Sequence, residues 1–554
     1  MNMEKRALLA IVISMAILLL SQPLMVKYFP QKKTVVATSA ATTKTVQGPA
    51  VVANTATTAT SQTQKAGSPA QAVKLADEKD IIFENEEYRA VLSNAGGVIK
   101  KAFLKKHPGS DGKPMVLFDE SNPSDATFAV SGLEPAIDNA VFSYSTRPNG
   151  ILFTAKSPDG ISIEKEITFR PGSYAINLRQ TLTNYSGQSR NLKYSIVNGA
   201  GLTNLSPQDE TYDELVKEID GKITNVNKRS LKKPATWDGM QVNWVSLKAK
   251  YFSLITKPPV SFKIVSSNTL QDKNLQSKIS SDSFTVAPNS SVTHEFVLYA
   301  GPNEYKKISS LKLDFEDSLY LGFTGSIGRI LFVILEHIQK LAKNWGLSII
   351  LLTVFINILL FPLTFKGIKS MKQMQALQPK MEALRKAHKK DPQKLNKEIM
   401  ELYKKYKVNP VSGCLPMILQ MPVFFALYQV LMRSIELRGA SFLWIKDLSQ
   451  PDRLIVFKTP ILLIGNEFNI LPILMAIGMF FQQKMSTPTH SGADDQMVQQ
   501  QKMMMIMMPI LFGFMFYHLP SGLVMYWLTN TVLTVAEQEI FLKKQLFHVE
   551  QSES

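Results

Sequence analysis

Cysteine is almost missing from this 554-residue chain, and with Cys414 alone no intrachain disulfide can form. A large domain facing an oxidising compartment must then rely on its own core. Histidine is sparse as well, at seven residues, none of them in an HExxH arrangement, and no GxSxG occurs. Without a nucleophile–base or metal-ligand pattern there is no catalytic residue, metal or cofactor to nominate, and a binding or scaffolding role is favoured over an enzyme. Charge is missing from five long runs: Ala7–Val26, Trp345–Phe365, Val408–Met432, Phe468–Gln483 and Met503–Ala536. Acidic and basic residues lie deep in none of them, and no inverted repeat is visible. Both absences count against an ion-coupled transporter.

What is present divides along the chain. Lys5 and Arg6 precede the first apolar run, and "SQPLMVKYFP" behind it offers no small-x-small cleavage pair. Residues 1–27 are therefore expected to be an uncleaved membrane anchor with a cytoplasmic N-terminus, a cleaved signal being the alternative. Residues 28–78, mostly Thr, Ala, Ser, Val and Gln, cannot bury enough apolar area to offset their ordering and read as a tether. From 79 to 318 the pattern has period two. In "ISIEKEITFRPGSYAINLRQTLTNYSG", Ile161, Ile163, Ile167 and Phe169 alternate before Pro-Gly, and Ile176, Leu178 and Leu182 follow it. Alternation bounded by turns means antiparallel strands with one buried face. Further strands are expected at Ile81–Phe83, Ala249–Thr256 and Val292–Tyr299, which together imply a large antiparallel β-sandwich.

Residues 319–344 contain an amphipathic helix, Ser326–Lys343. Its Ile327, Ile330, Leu331, Ile334, Ile338 and Leu341 form one stripe, expected in the membrane interface or, alternatively, against the sandwich. A second span at 345–365 opens at Trp345 and is expected to close at Pro362. The segment 366–410 follows: between Lys366 and Lys407 stand 13 basic and 4 acidic residues. The stripes Met374, Leu377, Met381, Leu384 and Leu395, Ile399, Leu402, split near His388–Pro392, predict a helical hairpin. Its position between membrane runs makes it a cytoplasmic, positive-inside element rather than a nucleic-acid-binding one. Spans three to six occupy 411–536, and 537–554 is a cytoplasmic tail. The expectation is a membrane α-helical bundle of six spans, both termini inside, with the sandwich outside. The last three uncharged cores have 16, 15 and 14 residues. They either thin the bilayer or extend through polar neighbours.

Polar groups mark the spans. Thr353 and Asn357 are four residues apart, on one helical face, and Gln420 lies between Pro416 and Pro422. Such amides need a partner or a wet cavity. The stretches "NWGLSIILLTVFINILLFPLT", "KVNPVSGCLPMILQMPVFFALYQVLMRSIELR", "NILPILMAIGMFFQQKM" and "LPSGLVMYWLTN" resemble the YidC-type membrane protein insertases of Gram-negative bacteria. The match covers the five C-terminal spans closely, and the anchor, tether and β-rich domain fit in order and size.

The resemblance implies an insertase and chaperone of the inner (cytoplasmic) membrane, with five spans forming its core. Nascent membrane proteins would enter a hydrophilic groove and leave into the phospholipid bilayer, alone or beside the Sec translocon. It implies no small-molecule substrate. Thr353 would line the groove, and Tyr526 and Trp527 stand where the family has an aromatic pair. Asn357 occupies the position of the family's groove arginine. Arg433, near the outer end of the third span, is no obvious replacement. Met503, Met504, Met507 and Met508 form a candidate substrate-contacting wall, because unbranched methionine re-packs around unrelated segments. Lys380, Arg385, Lys386, Lys389 and Lys390 would meet the substrate, the ribosome or acidic headgroups first. The competing reading is a small-solute transporter or channel.

Overall fold

The computed structural model describes residues 77–109, 112–270, 274–319, 322–388, 391–406, 408, 415–461, 465–486 and 495–543. The expected anchor, nearly all of the tether, Lys389, Lys390 and the tail beyond 543 fall outside them.

The alternating segment folds as its pattern dictates. Ile161–Phe169 and Ala175–Asn184 pair antiparallel, with Phe169 opposite Ile176. Gly172 makes the turn at φ +69°, a conformation that costs glycine little. Ile161, Ile163, Ile167, Phe169, Ile176, Leu178 and Leu182 are all buried. These strands belong to a nine-stranded antiparallel sheet. In spatial order it runs Lys222–Asn227, Glu214–Ile219, Val242–Lys248, Phe252–Lys257, Ser290–Pro302, Ala175–Asn184, Ile161–Phe169, Gly150–Lys156 and Ser143–Arg147. The strand expected at Ala249–Thr256 is instead the turn and return arm of a hairpin, with Val245 opposite Thr256 and Lys248 opposite Ser253. The Asn303 side chain fixes that turn by donating to the carbonyls of Ala249 and Lys250.

A five-stranded sheet meets the nine-stranded one through Ser195–Ala200 and Asn274–Ser281. A four-stranded sheet, Asp80–Glu84 to Pro114–Asp119, completes the domain. One apolar core joins the three, with Tyr88, Phe169, Tyr194, Trp244, Phe262 and Phe296 fully buried.

Among the described residues seven longer helices follow: α1 Gly322–Ala342, α2 Trp345–Ala387, α3 Pro392–Lys405, α4 Leu415–Arg433, α5 Leu471–Ser486, α6 Asp495–Phe516 and α7 Ser521–Lys543. Helix α2 departs from expectation. It is continuous over 43 residues, with Pro362 and Pro379 inside it, so the second span runs unbroken into the basic hairpin. A proline removes one backbone bond and bends a helix without having to end it when neighbouring turns remain bonded. Helices α6 and α7 have 22 and 23 residues, about 33 Å or more at 1.5 Å per residue. Both extend through polar neighbours, which removes the short-span argument for bilayer thinning at these two.

The amphipathic helix α1 also differs. It buries Leu331, Phe332 and Leu335 against Ile349, Leu352, Leu427 and Val430 of α2 and α4. Its approach to α4 is close: a Cβ on Gly328 would stand 2.9 Å from Val430 and 3.1 Å from the Ala426 carbonyl. Ile330 and Leu341 of the expected stripe are instead 62% and 87% exposed. The apolar residues of α1 therefore occupy two faces, one inside the bundle and one outside it.

The sandwich and the bundle meet at a charged joint. Arg433, the last residue of α4, reaches Glu214 at 2.8 Å, and Lys248 stands 3.6 Å from the same carboxylate oxygen. Burial pushes the Glu214 carboxyl up, but Lys248 and Arg433 outweigh it and hold it below the ordinary value. Lys248 also donates to the carbonyls of Ser318 and Leu319 at 2.8 and 3.0 Å. Ile435, two residues past α4, is buried in the sandwich core. Lys306 pairs with Glu336 of α1 at 2.8 Å.

Candidate functional site

Helix α7 carries the side chains that bind the bundle together. Tyr526 and Asn530 are four residues apart and share a face. Buried Tyr526 accepts a hydrogen bond from Gln420 Nε2 of α4. Asn530 Oδ1 accepts from Asn357 Nδ2 of α2 at 3.0 Å, and the same Asn357 nitrogen donates to the Thr353 carbonyl at 2.8 Å. Three amides and a phenol thus tie the last helix to two others. Each such bond contributes roughly 0.6 kcal/mol within a membrane, and at most about 1.7.

The fate of each predicted residue is specific. Thr353 is fully buried and spends its hydroxyl on the Ile349 carbonyl of its own helix, at 2.7 Å. Asn357 is half-buried. Gln420 and Asn357 belong to separate pairs, since among the described residues no hydrogen bond links them. Trp527 sits in an aromatic box, with ring centroids 4.9 Å from Phe424, 5.3 Å from Phe516 and 5.9 Å from Phe512. Asn530 and the three phenylalanines were not among the expected site residues. For Asn530 the signal was available: it stands one turn beyond Tyr526, and Thr534, whose hydroxyl donates to the Asn530 carbonyl, stands one turn further.

The expected methionine wall is less prominent than its neighbours. Met503, Met507 and Met508 are half-buried, whereas Ile506, Ile510 and Phe514, spaced four apart on α6, are about half exposed, at 49%, 60% and 50%. The Met504 side chain lies outside the described residues.

The hairpin formed by the end of α2 and α3 has its own small core. Leu377, Met374 and Met381 pack with Ile399, Tyr403 and Tyr406. Asp391 caps α3 by accepting from the Lys394 amide at 3.0 Å. Lys380 lies 4.4 Å over the Tyr406 ring and donates to its hydroxyl, Lys386 is exposed, and Arg385 is half-buried. Arg433 is committed to Glu214 and, at 5.5 Å, to the Tyr212 ring, so its charge points into the sandwich joint and away from Asn357. Among the described residues no cluster of His, Cys, Asp and Glu could hold a metal ion.

By length and composition one described helix, α2, can cross a membrane on its own, and Met505–Phe516 is a shorter apolar helix.

Comparison with known proteins divides the chain within α1. Residues 80–334 match the YidC periplasmic domain and residues 337–548 match the 60Kd inner membrane protein family. Proteins named membrane protein insertase YidC are similar over nearly the whole length. That of Geobacter metallireducens is 34% identical, covering 98% of each chain, and that of Ralstonia nicotianae is 34% identical, covering 96% of each. A solved active YidC insertase shares 18% identity over 86% of this chain and 94% of its own, with a TM-score of 0.35. A galactose mutarotase related enzyme from Lactobacillus acidophilus aligns with 40% of this chain and 97% of its own, at 12% identity and a TM-score of 0.32.

Proposed function

The chain belongs to the YidC family of membrane protein insertases, an inner-membrane family with a periplasmic domain, and from that membership we propose how this member handles its substrates. Apolar segments of nascent membrane proteins enter a polar-floored groove between α2, α4 and α7 and leave sideways into lipid. Six spans surround or flank that groove, the first within residues 1–27, with both termini in the cytoplasm. The basic hairpin stands at the cytoplasmic mouth, where Lys380, Arg385, Lys386, Lys389 and Lys390 meet the ribosome or acidic headgroups. The insertase acts alone or with the Sec translocon as a partner. Nothing in this work is catalytic: segments are bound, shielded and released.

The observation that carries the reading is the pairing of Asn357 with Asn530 and of Gln420 with Tyr526. Half-buried amides inside an apolar bundle are stable where water or a polar passenger can reach their remaining groups. Asn357 also supplies polarity where the family's arginine would stand, without the cost of burying a charge.

The test is a single cysteine at 357 in a Cys414→Ser background. It should react with a membrane-impermeant, water-soluble thiol reagent, and an added substrate segment should slow that reaction. A thiol reached only by a lipid-soluble reagent would place the residue in hydrocarbon and remove the groove.

A further inference from the structure

The hydrogen bonds of the Asn357–Asn530 pair leave a specific remainder. Asn357 spends both hydrogens of Nδ2, on Thr353 and on Asn530. Asn530 spends one oxygen contact. Among the described residues no group bonds Asn357 Oδ1 or Asn530 Nδ2. The pair therefore keeps one acceptor and one donor in reserve, on two residues that are each half-buried, not sealed.

One acceptor and one donor are the complement of a single residue of an extended chain, whose own N–H and C=O point to the same side. A polypeptide crossing hydrocarbon before it has become helical presents unmet N–H and C=O groups. Each costs several kcal/mol if nothing bonds it. We propose that the Asn357–Asn530 pair is a docking point for the extended backbone of the passing chain, with Asn357 Oδ1 accepting from the N–H and Asn530 Nδ2 donating to the C=O of one residue. This rests on the groove reading above. An arginine at position 357 would offer donors only and would favour acidic passengers. The amide pair is neutral and carries both roles, so it serves any sequence whose backbone is still open. Recognition of the backbone ends by itself: once the segment becomes helical its peptide groups are bonded internally, and the passenger is released.

The experiment uses the full chain in translocon-free liposomes and two versions of a two-span test protein, one with a neutral translocated loop and one with an acidic loop of equal length. Wild-type insertion in the same liposomes tests the groove reading separately. Asn530→Leu and Asn357→Leu should each slow insertion about tenfold on both loops, the worth of one or two lost hydrogen bonds. The double variant should be no slower than either single, because both residues form one site. The proposal is overturned by full-rate insertion in either single variant, by a loss confined to the acidic loop, or by losses that multiply. Asn530→Ala and Asn530→Ser keep the test open should the leucine variant fail to assemble. If the insertion rates of the three position-530 variants simply track their unfolding temperatures, the pair is only a helix latch and the proposal falls.

Discussion

The sandwich and the bundle bury polar groups in opposite ways. The sandwich takes in ionisable side chains. Lys165 is fully buried, with its Nζ 2.7 Å from the Gly96 carbonyl and 2.8 Å from that of Phe128, and Lys248 lies between Glu214 and the carbonyls of Ser318 and Leu319. The bundle's interhelical contacts at the candidate site are neutral: amide to amide and amide to phenol. The difference follows from the backbone. Loops and strand ends of the β-domain leave carbonyls free to surround a cation, whereas an α-helix has already spent its carbonyls on its own amides. A charge inside the bundle would need water, and a neutral amide needs only a partner. Ionisable groups are therefore carried by the sandwich, the joint and the basic hairpin, and polarity without charge is left for the groove.

The comparison breaks most easily at Glu214, which faces both Lys248 and Arg433. Glu214→Ala leaves the Arg433 guanidinium and the fully buried Lys248 amine without their shared carboxylate. The expected loss is about 3–5 kcal/mol, the usual effect of removing one partner from a buried pair. It should be read as a lower unfolding temperature in detergent and faster proteolysis at the joint. A change under about 1 kcal/mol would mean that the two halves are not held by this contact.

The next largest effect belongs to Lys165 and depends on pH. Burial lowers its amine from 10.5 to about 7, opposed by Asp138. Between about pH 7 and 10.5 the unfolded chain then binds more protons than the folded one, so stability rises with pH across that window. Lys165→Met should flatten the rise, leaving the part carried by Lys248 and Lys217, which burial lowers to about 7 and 8. At pH 7 the variant should lose about 1–3 kcal/mol, because the carbonyls of Gly96 and Phe128 lose their donor. Denaturant midpoints at pH 7, 8 and 9 decide it, and an unchanged slope would show that Lys165 stays charged throughout.

Lys165 also shows what was legible in the sequence. The alternation that announces the strand Ile161–Phe169 has a gap at 165, where an inward position holds lysine. The pattern is strong enough to locate the strand, but it does not single out the lysine at the inward position. What the pattern could not supply was the pair of carbonyls that satisfies it, since Gly96 and Phe128 are distant in sequence. The bundle was readable to a different depth. Thr353, Asn357, Gln420, Tyr526 and Trp527 stood out as polar or aromatic groups in apolar runs, but who pairs with whom depends on helix rotation. Asn530 does not stand out in the sequence for that reason. The unbroken α2 was hidden because Pro362 looks like a stop when read locally. The role of Arg433 is not visible in the sequence because its partner, Glu214, sits 219 residues away.

The smallest effect is the one that best tests the bundle's side of the comparison. Tyr526→Phe removes one hydroxyl, leaves the ring in place and deprives Gln420 Nε2 of its acceptor. In water-soluble cores an orphaned buried amide would cost about 1–3 kcal/mol. In a membrane bundle the unfolded reference also finds partners, so the expected cost is about 0.6 kcal/mol and at most about 1.7. Gln420→Leu should cost a similar amount, and the double variant should cost no more than either single, because the leucine needs no partner and the phenylalanine offers none. Trp527 provides an internal control. Its box of Phe424, Phe512 and Phe516 does not involve the Tyr526 hydroxyl, so its fluorescence maximum should stay where it is in all three variants. A loss of 3 kcal/mol or more from Tyr526→Phe, with the tryptophan spectrum unchanged, would put this neutral pair on the same energetic footing as the Glu214 joint. The bundle would then be locked at its polar contacts instead of lightly tied, and helices α4 and α7 could not yield to a passenger between them.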